Sequence, residues 1–134
     1  MTMNNKDSVN INDQYEGLQK LHSFVHQSSD KVTSLTISIP KGKGRYVILT
    51  LSDKVDKLRV KLDMDEIAGL SYAVERNREW KAFHTFEESH SKISYRDGFF
   101  SVENGKRITM KLTDDEKAGF VMVLRSLFQR LVFR

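Results

Sequence analysis

The stretch Leu58–Glu75, LRVKLDMDEIAGLSYAVE, decides the fold, because the chain contains it twice. It aligns without gaps on Ile108–Arg125, ITMKLTDDEKAGFVMVLR, fifty positions further on. The shared pattern is K-L-x-x-D-E-x-A-G: Lys61, Leu62, Asp65, Glu66, Ala68 and Gly69 against Lys111, Leu112, Asp115, Glu116, Ala118 and Gly119. Apolar positions match as well, Leu58 with Ile108, Val60 with Met110, Leu70 with Phe120 and Val74 with Leu124. Six identities in eighteen with matching periodicity mark an internal duplication.

Each copy reads as a strand running into a helix. Leu58, Val60 and Leu62 alternate with Lys57, Arg59 and Lys61, and Ile108, Met110 and Leu112 with Arg107, Thr109 and Lys111. Period two gives one apolar and one cationic face. Asp63 with Glu66, and Thr113 with Glu116, then have the spacing of a capping box, and acidic first turns suit the helix dipole. Gly69 and Gly119 fall mid-helix, where glycine is unfavourable unless another backbone or side chain approaches closely. The last helix, Thr113 to about Arg130, is apolar on more than one face, so helix-to-helix contact is expected, between the copies or between subunits.

Further strands lie upstream of each copy. Leu35, Ile37 and Ile39 alternate with Thr36 and Ser38 up to Pro40, and RYVILTL, Arg45–Leu51, follows the loop Lys41–Gly44. In the second half, WKAFHTF (Trp80–Phe86) opens the repeat, and Asp97-Gly98 and Asn104-Gly105 are hairpin turns separating three more strands. Tyr15, Leu18, Leu21 and Val25 recur at helical spacing, so Gln14–Gln27 is predicted as an amphipathic helix behind a mobile tail, Met1–Asp13. The expected fold class is α+β: two repeats of an antiparallel strand meander followed by a helix, about 31–79 and 80–134, with residues 1–30 as an N-terminal extension.

A chain of 134 residues with 39% hydrophobic and 30% charged residues can bury one core. Without cysteine it has neither disulfides nor thiolate metal sites, which suits a reducing compartment. The polar N-terminus is no signal peptide and no apolar run spans a bilayer, so an intracellular protein, cytoplasmic or nucleoid-associated, is expected. The net charge of +4 favours polyanionic partners through counterion release.

Placement of charge sharpens that expectation. With the apolar rows packed under helices, Lys57, Arg59 and Lys61 face outward in one copy and Arg107 and Lys111 in the other, with Lys92, Ser94 and Arg96 as a third row. Adjacent cationic rows repel unless an anion neutralises them; the plainer role for such lysines is to solvate the sheet and blunt its edges. Unpaired bases stack on aromatic rings. Burial is the expected fate of most aromatics, the Trp80, Phe83 and Phe86 cluster included, and Tyr46 and Phe99 are the two assigned to the surface. In K-G-K-G-R the cations Lys41, Lys43 and Arg45 flank glycines that let backbone amides approach a phosphate, although the segment is no Walker loop. Catalytic signals are missing: capping explains the acidic pairs, and His22 and His26, spaced to share a metal on a helix, have no third ligand nearby. No enzymatic activity, metal or cofactor is expected.

The twice-repeated meander and helix resembles the single-stranded-DNA-binding fold of the Whirly proteins, and half of it resembles the core of the "positive cofactor four" transcriptional coactivators, which include phage and bacterial members. K-G-K-G-R-Y-V, Lys41–Val47, is similar to that family's basic lead-in to its first core strand, and Lys61-Leu62 or Lys111-Leu112 before an acidic turn to its strand-to-helix junction. The resemblance covers roughly Val32 to Phe133. It lacks the family's aromatic-rich third-strand insert in the first copy, and it has both halves in one chain where the coactivators carry one and dimerise. It implies a non-enzymatic protein that binds unpaired DNA, including melted duplex, during transcription, replication, recombination or repair; with both halves in one chain a pseudo-dimeric monomer stands beside a homo-oligomer, which the apolar last helix favours. The residues themselves nominate Lys41, Lys43, Arg45, Lys57, Arg59, Lys61, Lys92, Arg96, Arg107 and Lys111 for phosphates and Tyr46 and Phe99 for stacking, with little base specificity. RNA is a rival ligand for the same surface, and an oligomeric interaction scaffold is a rival of another class.

Overall fold

Eight strands and two helices follow one another in the computed structural model, which describes residues 17–86 and 88–134. The first half runs β1 (Leu18–Gln27), β2 (Val32–Pro40), β3 (Val47–Ser52), β4 (Lys57–Leu62) and α1 (Met64–Glu75). The second runs β5 (Trp80–Phe86), β6 (Ser89–Arg96), β7 (Phe99–Asn104), β8 (Lys106–Lys111) and α2 (Asp114–Val132). Each half forms its own four-stranded antiparallel meander, in the order β1-β2-β3-β4 and β5-β6-β7-β8. The α+β class and the repeated meander-and-helix unit are as the sequence predicts. No helix among the described residues is long and apolar enough to cross a membrane.

Local chemistry sets these elements. Asp97 and Gly98 both take positive φ, 50° and 88°, and close the β6–β7 hairpin between the paired Arg96 and Phe99, as a two-residue turn of this type requires. Both helices start in full capping boxes, Asp63 with Glu66 and Thr113 with Glu116, so orphan amides of the first turn are satisfied.

The predicted N-terminal helix is a strand over its described residues. The register of β1 on β2 shifts between Lys20 and His22, and this bulge breaks the even alternation, so Leu18, Leu21 and Val25 fall at helix-like intervals. Beyond the bulge, Phe24 enters the core while Val25 is exposed. The first repeat therefore extends back to Leu18, upstream of the boundary predicted near residue 31. The predicted tail, Met1–Asp13, lies outside the described residues.

One core joins both halves. Leu35, Ile37, Leu49, Leu51, Val60 and Leu62 from the first sheet meet Ile93, Tyr95, Phe100, Val102 and Met110 from the second, with Ile67, Leu70, Phe120 and Leu124 from the helices. The Phe120 ring lies 6.1 Å from that of Phe24 on β1 and 6.0 Å from that of Phe100 on β7, centre to centre, so one helix residue bridges both sheets. Truncating so buried a ring costs about 3–5 kcal/mol.

Contacts between the halves follow the duplication. α1 packs against α2, which supplies the expected helix-to-helix contact within one chain. There Arg125 bonds Glu75 at 2.9 Å, and Lys106 bonds Asp56 at 2.9 Å between two hairpins. Both pairs join positions exactly fifty apart, so each links a residue to its own counterpart in the other copy. Each first strand also reaches the other half's helix: His26 on β1 bonds Glu116 at 2.7 Å, and His84 on β5 bonds Glu66 at 2.6 Å. The two helix glycines face those same strands. A methyl at Gly69 would meet Trp80 Nε1 at 3.1 Å, whereas one at Gly119 would meet Phe24 at 3.8 Å.

Candidate nucleic-acid interface

Strand pairing sorts each sheet into a core face and an outer face. On the second sheet, Trp80, Ala82, Ile93, Tyr95, Phe100, Val102, Ile108 and Met110 turn inward, and alternation sends the intervening residues outward. The outer face has three cross-strand rows: Phe83–Lys92–Glu103–Arg107, then Lys81–Ser94–Ser101–Thr109, then Arg96–Phe99–Lys111. Part of this face, with Lys81, Lys92, Arg96, Phe99 and Arg107 beside the acids Glu79, Asp97 and Glu103, lines a concavity of about 450 Å³.

Two rings stand in this field of cations. Phe83 is 73% exposed and Phe99 45%. Lys92 Nζ lies 5.9 Å from the Phe83 ring centre and Lys111 Nζ 5.3 Å from that of Phe99, within cation–π range. Two of the five outer cations form ion pairs, Lys81 with Glu79 at 3.7 Å and Arg96 with Asp97 at 3.8 Å, both exposed pairs that contribute little energy. Lys92, Arg107 and Lys111 make no ion pair among the described residues. A row of hydroxyls floors the concavity, and Ser101 and Thr109 share a 2.8 Å hydrogen bond.

Phe99 also borders a second depression, toward the first sheet, with His26, Gln27, Lys31, Thr33 and Lys111. His26 there is held by Glu116. Burial on its own would raise the Glu116 carboxyl, but the Thr113 amide and the His26 ring hold it below the ordinary value.

The first sheet's outer face differs. Its rows are Lys61–Ile48–Ser38–Lys20, Arg59–Thr50–Thr36–Ser23 and Lys57–Ser52–Ser34–Val25. Cations gather on β4, while the middle is a ladder of hydroxyls, with Ser34 and Ser52 2.7 Å apart and Ser23 and Thr36 2.9 Å apart. Ile48 is fully buried there. Tyr46 is half-buried, with Lys61 Nζ 4.8 Å from its ring centre. Gly44 lies under that ring, since a methyl there would come 2.6 Å from Tyr46 Cε2. Lys41 and Lys43 are exposed, whereas the Arg45 guanidinium donates to the Arg134 carbonyl, Nε at 3.2 Å. Arg134 in turn donates to the carbonyls of Pro40 and Gly44, tying the loop to the end of α2.

The nominated residues thus fall into two groups. Lys92, Arg96, Phe99, Arg107 and Lys111 share the second sheet's outer face, and Lys41, Lys43, Arg45, Tyr46, Lys57, Arg59 and Lys61 belong to the first sheet and its loop. Sequence reasoning passed over Lys81 and expected burial for Phe83, which is instead exposed. The signal for both was available, since in WKAFHTF the residues Lys81, Phe83 and Thr85 share one phase and Trp80, Ala82 and His84 the other. His22 and His26, read at helical metal-binding spacing, sit on a strand, with His22 edge-on to Phe24 at 4.6 Å.

Compared with known proteins, the chain matches no protein-family model and no curated sequence. What it can do is therefore read from its own side chains. Exposed rings flanked by cations, over a hydroxyl floor, can stack flat unsaturated rings, neutralise phosphates and hydrogen-bond polar edges at once.

Proposed function

We propose that the chain binds single-stranded nucleic acid, DNA in the first instance, through the outer face of its second sheet, with the β4 cations and Tyr46 of the first sheet extending the track. The observation that carries this reading is the outer face on which Phe83 and Phe99 stand exposed among Lys81, Lys92, Arg96, Arg107 and Lys111, with Phe99 lining its concavity. Stacking on two such rings requires bases freed from a duplex, and each stacked base contributes about 1–3 kcal/mol. Lysine and arginine around them match a phosphate backbone by charge and by counterion release. Four strands and a helix in each half also accord with the Whirly-like resemblance. The biological setting that follows is DNA melted during transcription, replication, recombination or repair.

The test is fluorescence anisotropy with a labelled single strand of about 30 nucleotides, longer than the site sizes of about 4–16 nucleotides usual for such surfaces. Duplex and RNA serve as competitors over a salt series. Affinity that falls steeply with salt and is poorly competed by duplex is expected. No binding at low salt refutes the reading and leaves the cation rows as a solvating surface. Equal competition by RNA would assign the face to single strands in general.

A further inference from the structure

Three acids line the concavity, and while Glu79 and Asp97 lie beside Lys81 and Arg96, the third has the wrong sign for a phosphate track with no such partner among the described residues. Glu103 lies exposed on β7 inside the concavity, directly between Lys92 on β6 and Arg107 on β8. Opposite charges in cross-strand register ordinarily close into ion pairs. Here they do not: Lys92 leans on the Phe83 ring, and Glu103 makes no hydrogen bond or ion pair among the described residues. The carboxylate is an acceptor held open toward whatever occupies the groove, and its charge opposes phosphates. Its position fits a base edge instead. It lies four residues along β7 from Phe99, about 13 Å, and two strands across from Phe83, about 10 Å, separations that a few unstacked nucleotides span.

Resting on the proposed single-strand binding, the geometry points to Glu103 as a guanine-reading residue. A carboxylate accepts two parallel hydrogen bonds. Guanine alone among the four DNA bases presents two adjacent donors on its pairing edge, N1–H and the exocyclic N2–H2. Adenine sets its amino group beside the N1 lone pair, and thymine flanks N3–H with two carbonyls, so each opposes one carboxylate oxygen. In a duplex the guanine edge is occupied by cytosine, so only an unpaired strand offers it, and unpaired pairing edges are what proteins read in single strands. The flanking Arg107 and Lys92 would hold the phosphates on either side.

The test uses the full chain and labelled thymine strands carrying three separated guanines, or adenines, or none. Adenine controls for the greater stacking of a purine. Guanine strands are expected to bind at least about fivefold more tightly than adenine strands, the lower end of what a well-made side-chain-to-base pairing discriminates. Glu103→Gln and Glu103→Ala should each bind every strand somewhat more tightly, through loss of the negative charge, and bring the guanine-to-adenine ratio close to one. A ratio near one in the native chain, or a ratio that both variants retain, overturns guanine reading while leaving single-strand binding standing. Failure of all strands to bind overturns both.

Discussion

Gly69 and Gly119 occupy the same place in the two repeats, yet replacing each with alanine should move stability in different directions. Alanine is favoured over glycine in a helix interior by about 1 kcal/mol. At Gly119 a new methyl meets nothing nearer than Phe24 at 3.8 Å, an ordinary contact. Gly119→Ala should therefore gain the full amount, which for a domain of this size raises Tm by about 3–5 °C. At Gly69 the methyl would stand 3.1 Å from Trp80 Nε1, inside the optimum separation of about 3.5–4 Å. Trp80 cannot simply withdraw, because its backbone pairs with Tyr95 and its ring packs on the core. Overpacking costs about 1–3 kcal/mol, so the net for Gly69→Ala lies between no change and a loss of about 2 kcal/mol. Thermal unfolding followed by circular dichroism, both variants in one buffer, reads the difference directly. An equal rise in both variants would refute the argument that Trp80 dictates glycine at position 69. Combining Gly69→Ala with Trp80→Phe should recover much of the loss.

Three further outcomes are expected. Phe83→Ala and Phe99→Ala should each weaken binding of a single strand by about 1–3 kcal/mol, roughly 5- to 150-fold, and leave Tm nearly unchanged because both rings are exposed; anisotropy beside thermal unfolding separates the two effects. Arg107→Ala and Lys111→Ala should each lower the salt dependence of log affinity by about 0.7 if each side chain holds one phosphate of a single strand, measured as the slope against log salt. Glu116 has its carboxyl held below the ordinary value in the folded chain, so it contributes stability above about pH 4.3 that is lost as the pH falls through its folded-state pKa; Glu116→Gln should therefore unfold in acid with a shallower pH dependence than the native chain.

Much of the architecture was written in local patterns. The strand-to-helix junctions announced themselves through Asp63/Glu66 and Thr113/Glu116, and the structure has both capping boxes. The Asp97-Gly98 turn and the phases of β7 and β8 were likewise legible, because period two leaves no freedom once one face is apolar. β1 was not legible. Its bulge inserts an odd interval between Leu18 and Leu21, and a pattern with that interval matches a helix better than a strand. Nor could the sequence say which half would carry the open concavity. Both halves have cationic rows and a central row of hydroxyls, and only the assembled sheets show that the second leaves Phe83 and Phe99 exposed. Glu103 illustrates the same limit: in sequence it is one acid among lysines, and its lack of an ion partner among the described residues is a property of the assembled sheet.

The ion pairs Asp56–Lys106 and Glu75–Arg125, each joining a position to its duplicate, have a consequence for assembly. In a symmetric dimer of separate chains, a residue beside the two-fold axis faces an identical copy of itself, so opposite charges cannot meet there. Fusion of the two units into one polypeptide removes that restriction. Each side of the axis can vary independently, and the docking of the halves becomes an intramolecular event whose strength does not fall as the protein is diluted. The same freedom extends from the seam to the outer faces, where one sheet can bury Ile48 while its sister displays the Phe83 and Phe99 rings.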